Sequence, residues 1–125
     1  MASQQDSIIA AWLTAIERWR EARRALGEWR TTNPYPSADL SRQDHDEAAG
    51  ALSRWEQGND RFAPAYGDAV DALVSLPAPN MDAVIVKLQL AREALAEGLE
   101  DSVAPIVEAV EWDLRRLSDE QNQPN

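Results

Sequence analysis

The sequence is informative first for what it lacks. It contains no cysteine, which excludes disulfide bonds, thiol nucleophiles and thiolate metal sites. Its five glycines are scattered singly, without the glycine-rich loop or nucleophile motif of nucleotide sites and hydrolases. No apolar run is long enough to span a bilayer, and no basic leader opens the chain. We therefore expect a soluble, cytoplasmic protein with no small-molecule substrate.

Acidic residues are abundant. The chain has 22 Asp and Glu against 12 Lys and Arg, a net charge of −10. Such a surface repels nucleic acid except at a local patch, which only the arginines between positions 18 and 30 supply. With 125 residues, 44% of them hydrophobic, one core is the expected organisation. The sequence predicts a single domain over residues 1–117 and a disordered polar tail over residues 118–125.

The clearest pattern is a pair of helices between residues 80 and 117. Asn80 is placed to cap the first helix, and Gly98 to end it in a left-handed conformation. Ser102 offers the next cap, and Pro105 falls in the first turn, where no donor is needed. Helices joined so briefly pack nearly antiparallel. The apolar stripes are Val84, Leu88, Ala91 and Leu95 on the first helix, and Val103, Ile106, Val107, Val110, Leu114 and Leu117 on the second.

Two earlier helices complete the expected architecture. The first begins near Asp6 or Ser7 and ends near Arg30, before a segment with two prolines. The second begins between residues 37 and 41 and continues to Leu76, with Pro64 inside it. Pro64 marks either a kink or a separate helix, and we favour the kink. The fold class is all-α, a four-helix up-and-down bundle with a long, proline-kinked second helix.

The first helix carries an apolar stripe with two tryptophans. Ile9, Trp12, Ile16, Trp19 and Leu26 follow alternating steps of three and four residues, the spacing of a helix-packing seam. This stripe either fills the core or contacts a partner, and both interpretations are open. Tryptophan and arginine are enriched at interface hot spots. The predicted partner-binding residues are Trp12, Ile16, Trp19, Arg20, Arg23 and Trp112, the last lying off its own helix's stripe.

The only histidine lies in an acidic segment, residues 44–47. Adjacent residues on a helix point about 100° apart, so His45 and its neighbours do not converge on one ion. The segment is typical of a solvated first helical turn. Carboxylate pairs also occur at Glu93 with Glu97 and at Glu108 with Glu111, but nothing in the sequence indicates a cleft around them. We predict no metal, cofactor or catalytic site.

Two further charged residues lie beside apolar stripes. Lys87, the single lysine, precedes Leu88 and is expected to extend its amine to solvent, although burial would make it a candidate reactive amine. Asp113 is expected to form an ordinary surface ion pair with Arg116.

The Pro-Ala-Pro turn at residues 77–79 and the helices after it resemble a family of small helical proteins of α-proteobacteria and their prophages. The matching places are Ala78, Asn80, Lys87-Leu88 and Asp113-Leu114 with Leu117, while Ala83 stands where a glycine is common. The resemblance covers about a third of the chain and implies a helical fold and a mobile-element context, with no active site.

These observations favour a non-enzymatic helical protein-protein interaction module that binds a protein partner, including a second copy of itself as a homodimer. One alternative is an acidic inhibitor or nucleic-acid mimic that occupies a basic protein groove. Another is a prophage-encoded regulatory or packaging protein that acts through the arginines of the first helix.

Overall fold

The computed structural model describes residues 3–36 and 45–121, and within these ranges the chain is helical without strands. The all-α class is therefore confirmed. The helices are α1 (Gln4–Thr32), α2 (His45–Asn59), α3 (Ala63–Ser75), α4 (Met81–Ala96) and α5 (Val103–Gln121), with a 3₁₀ turn at Glu100–Ser102. Contacts group the chain into two compact units. Unit 1 holds the described residues up to Ile16 and from Val70 onward, and unit 2 holds those from Glu17 to Ala69.

The first helix begins earlier than its sequence predicts. The Ser3 hydroxyl accepts a hydrogen bond from the Asp6 amide at 3.1 Å, and the Ser3 amide donates to Asp6 Oδ2 at 3.3 Å. This reciprocal pair satisfies two backbone donors that the first turn leaves without partners. Asp6 is therefore the third helical residue and not the cap. At the other end α1 continues two residues past Arg30, to Thr32.

The region around Pro64 forms two helices. Residues 60–62 are a turn between α2 and α3, in which the Asp60 amide still donates to the Glu56 carbonyl at 2.9 Å. Pro64 is the second residue of α3, where its missing amide donor costs little. The favoured continuous, kinked helix is not confirmed, and the described residues form five α-helices where four are predicted. The up-and-down bundle stays a prediction, and the predicted start between residues 37 and 41 lies outside the described residues.

The ends of α4 follow the predicted local chemistry. Asn80 Oδ1 accepts a hydrogen bond from the Ala83 amide at 3.0 Å and so caps the N-terminus. Gly98 has φ 78°, and its amide donates to the Leu95 carbonyl at 3.1 Å. The Leu99 amide reaches back to the Ala94 carbonyl at 2.8 Å, which completes a Schellman motif. The predicted cap and left-handed terminus are confirmed.

The buried faces of α4 and α5 confirm the predicted stripes at Val84, Ala91, Ile106 and Val110 and differ from them elsewhere. The buried residues are Ala83, Val84, Lys87, Leu90 and Ala91 on α4, and Ile106, Val110 and Asp113 on α5. The predicted core residues Leu88, Leu95, Val107 and Leu114 are instead exposed. The buried α4 face contains two alanines, which let helices approach closely, and the charge of Lys87 is neutralised by Asp113.

The last helix is longer than predicted. α5 continues to Gln121, so residues 118–121 belong to a helix and not to a disordered tail. Residues 122–125 lie outside the described part of the chain. The single domain over residues 1–117 stays a prediction.

Candidate functional site

Three of the predicted partner-binding residues are core residues. Trp12, Ile16 and Trp19 are each buried, as is Leu26, so the interpretation of the stripe as core is confirmed for these four residues, whereas Ile9 is exposed. The Trp19 indole N–H has no hydrogen-bond partner among the described residues. A role for these three side chains in binding a partner stays a prediction, but burial leaves them little surface with which to make such a contact.

The other three predicted residues are exposed. Arg20 forms an ion pair with Glu17 at 2.8 Å, and the Arg23 guanidinium lies 5.3 Å from the centre of the Trp19 ring. Trp112 is 56% exposed and lines a shallow surface depression on α5. These residues belong to different units, since Arg20 and Arg23 lie in unit 2 and Trp112 in unit 1.

The most unusual feature of unit 1 is an ion pair in its core. Lys87 on α4 is 1% exposed and Asp113 on α5 is 0% exposed, and Lys87 Nζ lies 2.7 Å from Asp113 Oδ2. Two carbonyls complete the surroundings of the amine, Leu76 at 2.6 Å and Val74 at 3.3 Å. The ammonium thus has an acceptor for each of its three hydrogens. The expectation of a solvent-reaching Lys87 is wrong. The predicted ion pair of Asp113 with Arg116 is present at 4.0 Å, but Asp113 is buried and not at the surface.

This pair also fixes the connection between α3 and α4. In the segment Pro77–Ala78–Pro79 only Ala78 has an amide hydrogen, and it donates to Asp113 Oδ1 at 3.1 Å. The Ala78 carbonyl accepts from Arg116 Nη2. The acceptor Val74 lies in the last turn of α3, where carbonyls lack helical partners and a cation is favoured. We call Lys87, Asp113 and Arg116 the buried charged cluster.

The geometry of the buried charged cluster favours a structural role over that of a nucleophile. A nucleophilic amine needs a free lone pair, whereas the Lys87 nitrogen contacts three acceptors, the Asp113 carboxylate and two backbone carbonyls. Trp12 closes one side of the site, with its ring centre 5.9 Å from Lys87 Nζ. Asp113 accepts hydrogen bonds on both oxygens. In the sequence, the two residues of this pair each precede a leucine, Lys87-Leu88 on α4 and Asp113-Leu114 on α5.

A second feature of unit 1 is an exposed apolar line on α4. Its residues are each between about two-fifths and three-fifths exposed and follow steps of four and three along the helix, with Arg92 filling the one gap. They are Met81, Ile85, Leu88, Leu95 and, just past the helix end, Leu99. We call these five residues the α4 apolar face. The helical periodicity predicts Leu88 and Leu95 to be core residues, and that prediction is wrong for both.

Arg92 shares a shallow depression with polar and small residues beside the α4 apolar face. Its other lining residues are Gln89, Glu93 and Ala96. Among the residues that the structure describes, no carboxylate forms an ion pair with Arg92. A guanidinium therefore lies within an apolar line with its hydrogen-bonding capacity open to a partner.

Unit 2 is organised around a cluster of aromatic rings. The Trp29 ring centre lies 5.6 Å from that of Trp55 and 6.1 Å from that of Phe62, and Tyr35 meets Trp55 edge-on at 4.9 Å. The Trp55 indole N–H donates to the Asn33 carbonyl at 2.8 Å. This cluster ties the end of α1 to α2 and to the turn before α3. Its rings are intermediate or exposed in accessibility, not fully buried.

The charges of unit 2 pair on its surface. On α1, Arg24 contacts Glu21 and also Glu28, the latter at 2.9 Å. The hydrogen bond from Arg24 and its positive charge hold the pKa of Glu21 below its ordinary value of 4.5. These groups are exposed to solvent, which screens their attraction.

The structure describes the candidate acid and metal residues only in part. No group of three potential metal ligands occurs within residues 3–36 and 45–121, apart from the undescribed His45 side chain. Asp44 and the His45 side chain lie outside the described residues. Glu97, Glu108 and Glu111 are exposed, and Glu93 is half-buried. In the same ranges, no helix has both the length and the hydropathy of a membrane span.

Comparisons of this chain with models of protein families, with curated proteins and with solved structures return no match. A function is therefore inferred from the all-α fold, the buried charged cluster and the α4 apolar face. The resemblance to the helical family of α-proteobacteria and their prophages stays a prediction.

Proposed function

We propose that this protein is a non-enzymatic helical interaction module whose contact surface is the α4 apolar face. One observation carries this proposal. α4 packs against α5 and buries Ala83, Val84, Lys87, Leu90 and Ala91, yet a second line of four large apolar side chains on α4, continued by Leu99 past its end, is in contact with solvent. Exposed apolar surface of this extent and order is typical of binding sites.

The spacing of the face favours a helix as the bound element. Steps of four and three residues keep side chains on one line of a helix, where they insert between the side chains of a second helix. A partner helix needs an apolar stripe of its own and an acceptor opposite Arg92. The proposed contact surface thus moves from the first helix, where Trp12, Ile16 and Trp19 are buried, to the fourth.

Trp112, which is among the predicted partner-binding residues, is exposed and has a secondary role in the proposed contact. Trp112 and Arg116 form a cation–π contact of 5.5 Å at the surface of α5. A large partner on unit 1 would cover this pair as a rim contact. A cytoplasmic setting, which a cysteine-free chain permits, belongs to the same proposal.

The test compares two substitutions of equal exposure. Ile85 on the α4 apolar face is 59% exposed and Leu13 on α1 is 57% exposed, and both belong to unit 1. Wild type, Ile85→Glu and Leu13→Glu are used as baits in an extract of the native host. We expect a protein that wild type and Leu13→Glu retain and that Ile85→Glu does not, because the carboxylate must be desolvated in the contact.

Two controls make this result decisive. Circular dichroism must show equal helix content in the three baits, and the retained protein must rebind in purified form with the same dependence. If every retained protein binds Ile85→Glu as well as it binds wild type, the α4 apolar face is not the contact surface.

A further inference from the structure

Building on the proposed function, we propose that the partner is a second copy of this chain. The two α4 helices pack antiparallel about a twofold axis, and Arg92 of each copy lies against Asp82 of the other. In such an isologous contact each pairing occurs twice.

Charge complementarity favours a second copy of the chain as the partner and an antiparallel arrangement of the two α4 helices. Arg92 lies within the apolar line, so any partner must supply an acceptor there or leave a desolvated guanidinium unpaired. Asp82, in the first turn of the same helix, is exposed and supplies that acceptor. A parallel pairing would instead set Arg92 against Arg92 and Asp82 against Asp82. Like charges at both ends disfavour the parallel arrangement, whereas the antiparallel one pairs opposite charges at both ends.

The same register brings the apolar residues together. In an antiparallel pair the residue numbers of opposed positions have a nearly constant sum. When Arg92 is opposite the pair Met81 and Asp82, Ile85 of one copy is opposite Leu88 of the other, and the reverse holds across the axis. Two apolar layers thus occupy the centre of the contact, and one ion pair closes each end.

Because each chain carries a large negative charge, α4 is a favourable place for two copies to make contact. Two chains of −10 repel each other, least where the local charge is balanced. At its surface α4 has two acids, Asp82 and Glu93, and one base, Arg92, because Lys87 is buried and paired with Asp113. α5, by contrast, carries four acids outside that buried pair against two arginines.

The available area sets the expected strength. Stable dimers bury roughly 800 Å² on each partner. In this register Met81, Ile85 and Leu88 of each copy provide part of that area, since Leu95 lies beyond the start of the opposed α4, so we expect a reversible dimer whose population depends on concentration.

The test is sedimentation equilibrium of the purified full chain over micromolar to millimolar concentrations. We expect wild type and Leu13→Glu to dimerise with the same dissociation constant, and Ile85→Glu to stay monomeric. Arg92→Asp or Asp82→Arg alone each weakens the dimer by about tenfold or more, because like charges then face each other. The double variant Arg92→Asp/Asp82→Arg restores the dimer, since the pairs are reformed with exchanged signs.

A cross-linking measurement checks the register without relying on that rescue. The chain has no cysteine, so Arg92→Cys and Asp82→Cys each introduce a single thiol. In the proposed dimer a mixture of the two variants forms a mixed disulfide under mild oxidation. Either variant alone does not, because its two thiols are about 15 Å apart along the helix pair at 1.5 Å per residue.

The outcomes separate this inference from the proposed function. A chain that is monomeric throughout the concentration range, while an Ile85-dependent partner is still retained, refutes self-association and leaves the interaction module standing. A dimer that Ile85→Glu does not weaken refutes the α4 contact. Cross-linking of Arg92→Cys with itself refutes the antiparallel register.

Discussion

The two units of this protein are stabilised by different kinds of contact. Unit 1 contains an ion pair, Lys87 with Asp113, that is withdrawn from solvent and bonded to the backbone at Ala78. Unit 2 contains a cluster of partly exposed aromatic rings around Trp29, and its charges pair at the surface. A protein of 125 residues thus uses directional buried charge in one part and shape-dependent ring packing in the other.

This difference predicts which substitutions destabilise each unit most. Buried charge contributes little net stability, because desolvation offsets attraction, but it penalises strongly any arrangement in which one partner is missing. Ring packing is penalised when volume is added or removed. We therefore expect unit 1 to be sensitive to the loss of a charge and unit 2 to changes of size.

The largest expected effect is the loss of one member of the buried pair. Lys87→Met leaves the Asp113 carboxylate in the core with only the Arg116 guanidinium, 4.0 Å away, and should lower the free energy of unfolding by about 3–5 kcal/mol. Urea denaturation followed by circular dichroism measures it. The double variant Lys87→Met/Asp113→Leu should recover much of the loss, because both fully buried charges are removed.

Failure of that recovery would be informative. A double variant as unstable as the single one would show that the bonds to the Val74, Leu76 and Ala78 backbone, and not charge neutralisation, stabilise unit 1.

An intermediate effect is expected in unit 2 when a methyl group is added beside Trp29. A Cβ at Gly58 would overlap with the Trp29 ring, which Trp55 and Phe62 hold in place, so Gly58→Ala should destabilise by about 1–3 kcal/mol. Gly67 on α3 is the matched control, since nothing lies within 4 Å of a Cβ there. Gly67→Ala should stabilise by about 0.5–1 kcal/mol through helix propensity.

Thermal unfolding of the two alanine variants measures these shifts. Equal shifts of the same sign would mean that the aromatic cluster does not depend on close approach at Gly58, and the contrast between the units would lose its basis.

The smallest expected effect concerns the surface charges of α1. Arg24→Gln should raise the pKa of Glu21 toward 4.5, because the hydrogen bond and the positive charge that lower it are removed. The depressed pKa means that the pair stabilises the fold above pH 4.5 and that this contribution is lost as the pH falls below that value. NMR titration of Glu21 measures the pKa.

Arg20→Gln is the control for this titration, since Arg20 pairs with Glu17 and should leave Glu21 unchanged. Added salt should also move the pKa of Glu21 toward 4.5, because the pair is solvated. A Glu21 pKa that is insensitive to both Arg24→Gln and salt would contradict a surface pairing in unit 2.

Local features of the fold were predictable from the sequence. The Asn80 cap and the Gly98 terminus depend on a few adjacent residues and on backbone geometry, so their chemistry is visible in the sequence itself. The break near Pro64 was visible too, but choosing between a kink and two helices requires the hydrogen bonds of residues 60–62.

The buried face of α4 was not predictable by periodicity alone. Apolar residues occupy most of its circumference, and two lines, one through Leu88 and one through Lys87, have helical spacing. The choice of the charged line depends on Asp113, 26 residues away, which neutralises the lysine. The family resemblance included Lys87 and Asp113 but assigned them no role. The α4 apolar face could be recognised only once the line through Lys87 was known to be buried.

The burial of Lys87 has a practical consequence, because this is the only lysine in the chain. Reagents that acylate ε-amino groups need an accessible nitrogen, and here access requires α4 and α5 to separate. The rate at which such a reagent modifies this one residue would therefore measure how often unit 1 opens, with no engineered probe.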